Sequence, residues 1–231
     1  MYLLFETDER FIDEADIASE RALELEPDLA EAHASRGMAY SCRKDYERSN
    51  REFEIAMRLD PKLFEAPYFW GRNLIWQGKG AEAIKVFRLA QELRPESYET
   101  VAMMGQAYSQ LGKKAEAAAA QRLSLKLMEE RLELNPDDSR AWVLSGTNYA
   151  AVGDRERAVE AMRRALAIDD DALTKYNAAC MYALLGDQDK ALDYLENAIA
   201  QGWHHKEWLS HDTDFDFVRD LPRFKEIVAG L

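Results

Sequence analysis

The chain has 231 residues, 47% of them apolar, enough to bury a core of one or two domains. Its 30 Lys and Arg stand against 43 Asp and Glu, a net charge of −13. Such a balance repels phosphate backbones and anionic bilayers, so it argues against nucleic-acid binding and membrane docking. No run approaches the ~18 apolar residues of a membrane span, and MYLLFETDER lacks the basic region of a signal peptide. Cys42 and Cys180 lie far apart with no C-x-x-C spacing, as expected of two reduced thiols in a cytoplasmic protein.

From the N-terminus, YLLFE reads as the tail of a helix, which suggests that more protein precedes Met1. With the helix that follows it makes a partial repeat over residues 1–29. A period then emerges. ALELEP closes at Pro27, AMRLDP at Pro61 and AQELRP at Pro95, two steps of 34 residues, and Gly37, Gly71 and Gly105 keep the same step. Residues 30–63 carry Arg36, Gly37, Tyr40, Ser49, Phe53 and Pro61, and residues 64–97 carry Trp70, Gly71, Leu74, Ala83, Phe87 and Pro95. Residues 98–138 repeat the register with Met104, Gly105, Tyr108, Ala117 and Gln121, and close late at Pro136. Residues 139–171 give Trp142, Gly146, Tyr149, Ala158 and Met162; residues 172–202 give Ala179, Tyr182, Ala191 and Leu195. Residues 203–231 remain as a C-terminal cap.

Each unit predicts two helices. The small residue at Gly37, Gly71, Gly105, Gly146 or Ala179 allows close approach, and Gly78, Gly112, Gly153 or Gly186 marks the turn. Lys44 fills that turn slot in the first full unit. A single helix pair cannot bury its apolar faces, so neighbours must stack. The expected fold is all-α: a right-handed α-α superhelix of about five helix-turn-helix repeats in one domain. The interval from Pro95 to Pro136 is seven residues longer than the period. Seven residues are about two helical turns, so a longer second helix keeps its apolar face in register and extends by ~10 Å.

The pattern resembles the tetratricopeptide repeat, a 34-residue unit with W-x-x-L-G-x-x-Y, A-x-x-x-F and a closing proline. Two stretches resemble a narrower group. MEERLELNPDDSRAW, and the run from YNAACMYALLGDQDKALDYLENAIAQG through WLSHDTDFDFVRDLPRF, are similar to C-terminal tetratricopeptide regions of multidomain bacterial regulators. In that group the repeats follow a TolB-like segment, a nucleotide-cyclase domain, a winged-helix domain or a protein kinase. The usual ending reads D-x-D-x-D-P-[LV]-R-x-x-P-R-F. Asp212, Asp214, Asp216, Val218, Arg219, Pro222, Arg223 and Phe224 match it, and Phe217 replaces the proline. The resemblance implies a protein-interaction or regulatory segment of a signalling protein, and it brings no catalytic residues.

Catalytic patterns are missing from the sequence itself. Gly71 and Gly78-Lys79 are spaced wrongly for a phosphate-binding loop, and neither G-x-S-x-G nor H-E-x-x-H occurs. No enzyme and no cofactor are expected. His204, His205 and His211 beside Asp212, Asp214 and Asp216 invite a metal reading. A calcium loop starting at Asp212 would need glycine and glutamate where Phe217 and Arg223 stand, and adjacent histidines rarely converge on zinc. The segment is expected to be a lid, in which Trp203, Trp208, Leu209, Phe215 and Phe217 cover the last apolar face. Pro222 then opens a final amphipathic helix on Phe224, Ile227, Val228 and Leu231.

Function is expected on the concave groove lined by the first helices. In PYFWGRNLIW, Pro67, Trp70, Gly71 and Leu74 face the paired helix, which leaves Tyr68, Arg72, Ile75 and Trp76 on another side. Those four either pack between repeats or form a lip of the residue types enriched at hot spots. Met38, Gln106, Gln110, Thr147, Tyr176 and Asn177 fall at related places. The expected partner is a protein or peptide with an acidic group near Arg72 and an apolar side chain near Tyr68 and Trp76. The alternative is self-association as a homodimer, through the long helix or a solenoid end, regulating an attached enzyme or DNA-binding domain.

Overall fold

A computed structural model describes residues 9–204, 206, 209 and 212–231, and every regular element among them is helical. In chain order these are α1 (Glu9–Leu25), α2 (Ala30–Cys42), α3 (Tyr46–Leu59), α4 (Glu65–Trp76), α5 (Gly80–Leu93) and α6 (Tyr98–Gln110). There follow α7 (Lys114–Leu134), α8 (Ser139–Ala151), α9 (Arg155–Ile168), α10 (Ala172–Leu184), α11 (Gln188–Ala200), a 3-10 turn (Thr213–Phe215) and α12 (Pro222–Gly230). The all-α class read from the period is the class found. The chain divides into two compact units, residues 1–127 and 128–231, with the division falling inside α7.

The helix pairs α2–α3, α4–α5, α8–α9 and α10–α11 coincide with repeat units, and each pair shares a packed face. The close-approach glycines show why small residues recur. A Cβ on Gly71 would stand 2.5 Å from the Phe87 ring, and one on Gly37 would stand 3.0 Å from Phe53; both rings are fully buried. The turn slot is equally uniform. Gly78, Gly112, Gly153 and Gly186 take φ of 72°, 68°, 80° and 73°, and Lys44 is held in the same left-handed conformation at 62°.

Second helices start on a device that the period does not announce. Asp45, Asp154 and Asp187 each N-cap their helix, accepting from the backbone N–H three residues on at 3.1, 3.1 and 3.4 Å. The residue that supplies the N–H also turns its own cation over the tyrosine ending the previous helix. Arg48 lies 4.5 Å from the Tyr40 ring, Arg157 4.4 Å from Tyr149 and Lys190 5.0 Å from Tyr182. Aspartate, cation and tyrosine thus close one turn three times.

Helix α7 runs 21 residues, whereas α3, α5 and α9 each run 14. The extra seven are taken up in one uninterrupted helix, rich in strong helix formers. At the C-terminal end, Trp203, Leu209 and Phe215 are buried, as a lid requires. Phe217 departs from that expectation. It is 59% exposed, with the edge of its ring 3.6 Å from where a Cβ on Gly186 would stand. His205, Trp208 and His211 lie outside the described residues, as do residues 1–8.

Candidate partner-binding surface

Helix α4 is apolar on several sides because it has neighbours on several sides. Buried Asn73 accepts from the Ser41 hydroxyl at 2.7 Å and donates to Ser49 Oγ at 3.0 Å and Asn50 Oδ1 at 3.1 Å. The Trp70 indole N–H reaches the same Asn50 oxygen at 3.0 Å. A polar seam therefore fixes α4 on α2 and α3 within an otherwise apolar interior, where an unpaired amide would be costly. On its other flank, the Gln110 side chain donates to the Ile75 carbonyl at 3.0 Å and ties α4 to α6.

With α4 fixed, Tyr68, Arg72 and Trp76 form a ladder at four-residue spacing along one stripe. The Arg72 guanidinium sits 5.9 Å from the Tyr68 ring and 5.4 Å from the Trp76 ring. Tyr68 stacks on Phe64 at 5.3 Å. Only the last rung reaches the surface: Trp76 is 40% exposed and Arg72 7%, with Tyr68 and Ile75 also buried. Arg72 lies close enough to Cys42 to pull that thiol's pKa down, although burial wins and holds it above the ordinary value. Met38 is buried too, while Gln106 and Gln110 on α6 are exposed. The ten expected residues thus split by depth. In the first unit Trp76, Gln106 and Gln110 offer contact atoms, whereas Met38, Tyr68, Arg72 and Ile75 hold the surface up from beneath.

In the second unit, Thr147 and Asn177 are half-buried and spend a hydrogen bond on their own helices, to Leu144 and Leu173 carbonyls at 3.1 and 2.8 Å. Tyr176 is covered by the C-terminal lid. Its ring stacks on Trp203 at 4.1 Å and meets Phe215 at 5.7 Å, and its hydroxyl donates to Asp212. The C-terminal segment is held by contacts at several of its residues. Asp212 also accepts from the Asp214 N–H at 3.0 Å, and Arg219 donates to the Asp212 carbonyl at 2.6 Å. Val218 and Phe224 are buried, Pro222 opens α12, and Arg223 pairs with Asp193 and Glu196 of α11 at 2.7 Å.

Cys180, Asp212 and Asp214 bring ligand-type atoms within 4.8 Å of one another. Their surroundings are those of a hydrogen-bonded seam. Tyr176 and Cys180 both donate to Asp212, burial pushes both pKa values up, and burial beside Asp212 and Asp216 pushes Asp214 up to about 7. The seam holds the Tyr176 and Cys180 protons at neutrality and joins the lid to α10.

A tetratricopeptide-repeat family model matches residues 98–131, 139–171 and 172–200. Those three stretches are similar to tetratricopeptide repeats and make up under half of the chain. Solved structures share this repeat fold at low identity. A thermophilic tetratricopeptide protein of Thermus thermophilus aligns with TM-score 0.63 and 20% identity, over 87% of this chain and 99% of that one. A tetratricopeptide repeat protein from Parabacteroides merdae aligns with TM-score 0.63 and 14% identity, over 92% and 79%. A chain of the APC/C Cut9–Hcn1 hetero-tetramer aligns with TM-score 0.66 and 16% identity, over 94% of this chain and 46% of that one. No curated protein sequence matches the chain significantly.

Proposed function

We propose that the chain is a non-catalytic protein-interaction segment of a bacterial signalling protein, and that it binds a peptide or protein partner across first helices of its repeats. The observation that carries this reading is Trp76: a large aromatic ring left 40% exposed on a helix otherwise buried or half-buried. Its base is fixed by Arg72 and by the Gln110 bond to Ile75. Rigid, half-open aromatic anchors are the residues that dominate binding energy. Gln106 and Gln110 supply polar contacts beside it, and Arg72 sets its orientation. The ending that resembles those of bacterial regulators, with Asp212 bonded to Tyr176 and Arg223 paired to α11, supports the signalling context. Repeat arrays use such extended surfaces for recognition, and the similar Cut9–Hcn1 chain belongs to a hetero-tetramer.

The test is selection of a displayed peptide library against the full chain, followed by re-selection against Trp76→Ala with its helicity verified. Enriched peptides lost by that variant support the reading. An empty selection, or enrichment indifferent to Trp76, contradicts it. A second reading rests on Leu134, which ends α7 with 85% of its surface exposed: self-association of two copies through the long helix. A mass that rises with concentration in light scattering and falls back in Leu134→Lys would support it.

A further inference from the structure

The turns of the second and third repeats reverse the charge order found in the others. Where Asp45, Asp154 and Asp187 precede their helices and a cation follows three residues later, these turns read Gly78-Lys79-Gly80-Ala81-Glu82 and Gly112-Lys113-Lys114-Ala115-Glu116. Lys79, Lys113 and Lys114 are exposed, and none has an ion-pair partner among the described residues. Lys79 makes no side-chain cap although its backbone, φ −91° and ψ 52°, is close to that of Asp45 at −84° and 70°. A lysine at a helix start also opposes the macrodipole, so local stability argues against it at both turns. Departures of this kind concentrate where a protein does its work.

The two turns adjoin. A Cβ on Gly80 would lie 3.0 Å from the Ala107 carbonyl, 3.2 Å from Gln110 Oε1 and 3.4 Å from Leu111 Cγ. The second repeat's turn therefore rests on the end of α6, immediately before the third repeat's turn. Trp76 and Leu111, each 40% exposed, stand at the ends of α4 and α6 beside the lysines. Three cations and two large apolar groups, with exposed Glu82 and Glu116 one helical turn further on, share one edge of a chain whose net charge is −13.

We propose that this edge of Trp76, Lys79, Gln110, Leu111, Lys113 and Lys114 docks an acidic segment of a partner protein that carries an aromatic or large aliphatic side chain. The proposal deepens the reading above and rests on it. It moves recognition of the acid from Arg72, which is buried, to the turn lysines, which are accessible. Charge complementarity selects the occupant: carboxylates meet the lysines, the apolar side chain enters between Trp76 and Leu111, and the Gln110 amide lines the floor.

The experiment is fluorescence anisotropy on the full chain with a labelled peptide of repeated Glu-Glu-Phe triplets. Gln-Gln-Phe, Glu-Glu-Ser and Lys-Lys-Phe versions serve as controls. Expected is binding of Glu-Glu-Phe that weakens with salt, a loss of about tenfold in the Gln-Gln-Phe control, since three exposed ion pairs of ordinary strength sum to that factor, and weaker binding of the Glu-Glu-Ser control, which lacks the apolar side chain. The triple variant Lys79→Glu, Lys113→Glu, Lys114→Glu should lose at least as much with unchanged circular dichroism, and the corresponding glutamine variant should fall between. Equal binding of the Glu and Gln peptides, or indifference to the lysines, overturns the proposal. So does light scattering in which the lysine variant only separates two copies of the chain. Library peptides that need Trp76 but ignore the lysines would defeat this inference while leaving the broader reading intact.

Discussion

The first full repeat and the second solve the same packing problem and part company at the turn. In both, a glycine on the first helix receives a buried phenylalanine, Phe53 on Gly37 and Phe87 on Gly71, and the second fit is the tighter. In the first, Asp45 caps α3 and Arg48 closes over Tyr40. The second has Leu74 and Lys79 at those places, and no side-chain cap on α5. Here the core is strict and the turn is altered, so the alteration belongs to the surface. The fifth repeat gives the complementary contrast: it keeps the aspartate device at Asp187, and its Tyr176 is sealed by Trp203 and Asp212.

The largest expected effect tests the strictness of that core. Gly71→Ala should destabilise by about 3 kcal/mol, because the new methyl would fall on a fully buried ring that has no room to retreat. Gly105→Ala meets nothing nearer than Ala120 at 3.5 Å and should be neutral or stabilise by up to about 1 kcal/mol through helix propensity. Denaturant unfolding of the two variants checks the difference; equal values would mean that the second repeat has no stricter core.

The sealed fifth repeat is expected to respond to pH. Asp214, pushed up to about 7 by burial beside Asp212 and Asp216, binds its proton more tightly in the folded chain than in the unfolded one. Its contribution is therefore complete below the ordinary carboxylate range and fades as pH rises through about 7, by roughly 2 kcal/mol after allowing for partial exposure. Hydrogen exchange of α10 at pH 5 and pH 8 reads this directly. Slower exchange at the lower pH after correction for intrinsic rates, and a flat profile in Asp214→Asn, are expected; the same profile in both proteins would refute the assignment. A smaller effect concerns the one repeat turn without glycine. Lys44→Gly should relieve the positive φ of 62° and stabilise by about 0.5–1 kcal/mol in thermal melts.

Much of this was legible in the sequence because the repeat writes its core at fixed spacing. Gly37, Gly71 and Gly105, the turn glycines and the prolines give the helix pairs directly, and even Lys44 is found in the left-handed slot its position assigns. Depth was harder to read. Periodicity says which residues share a stripe, but a helix between two neighbours covers two stripes, and Arg72 is of a type usually found outside. Packing against Phe64, Phe69 and Phe87 closes over Tyr68, while Trp76 at the end of α4 stays open. The Tyr176–Asp212 bond spans 36 residues and depends on the lid folding back, which no local pattern encodes. The Asp45, Asp154 and Asp187 caps could have been found, since each aspartate follows a turn glycine or Lys44 and precedes an apolar-periodic helix. Aligning them would have singled out Lys79 and Lys113.

The most direct measurement joins stability and binding in one variant, Lys79→Asp with Lys113→Asp. Restoring the aspartate places a cap at two helix starts and should stabilise the chain by about 1 kcal/mol at each, while binding of the Glu-Glu-Phe peptide falls at least about tenfold. A higher melting temperature together with lost binding is the result this account requires. A variant that gains stability and binds the acidic peptide as the parent does would contradict it.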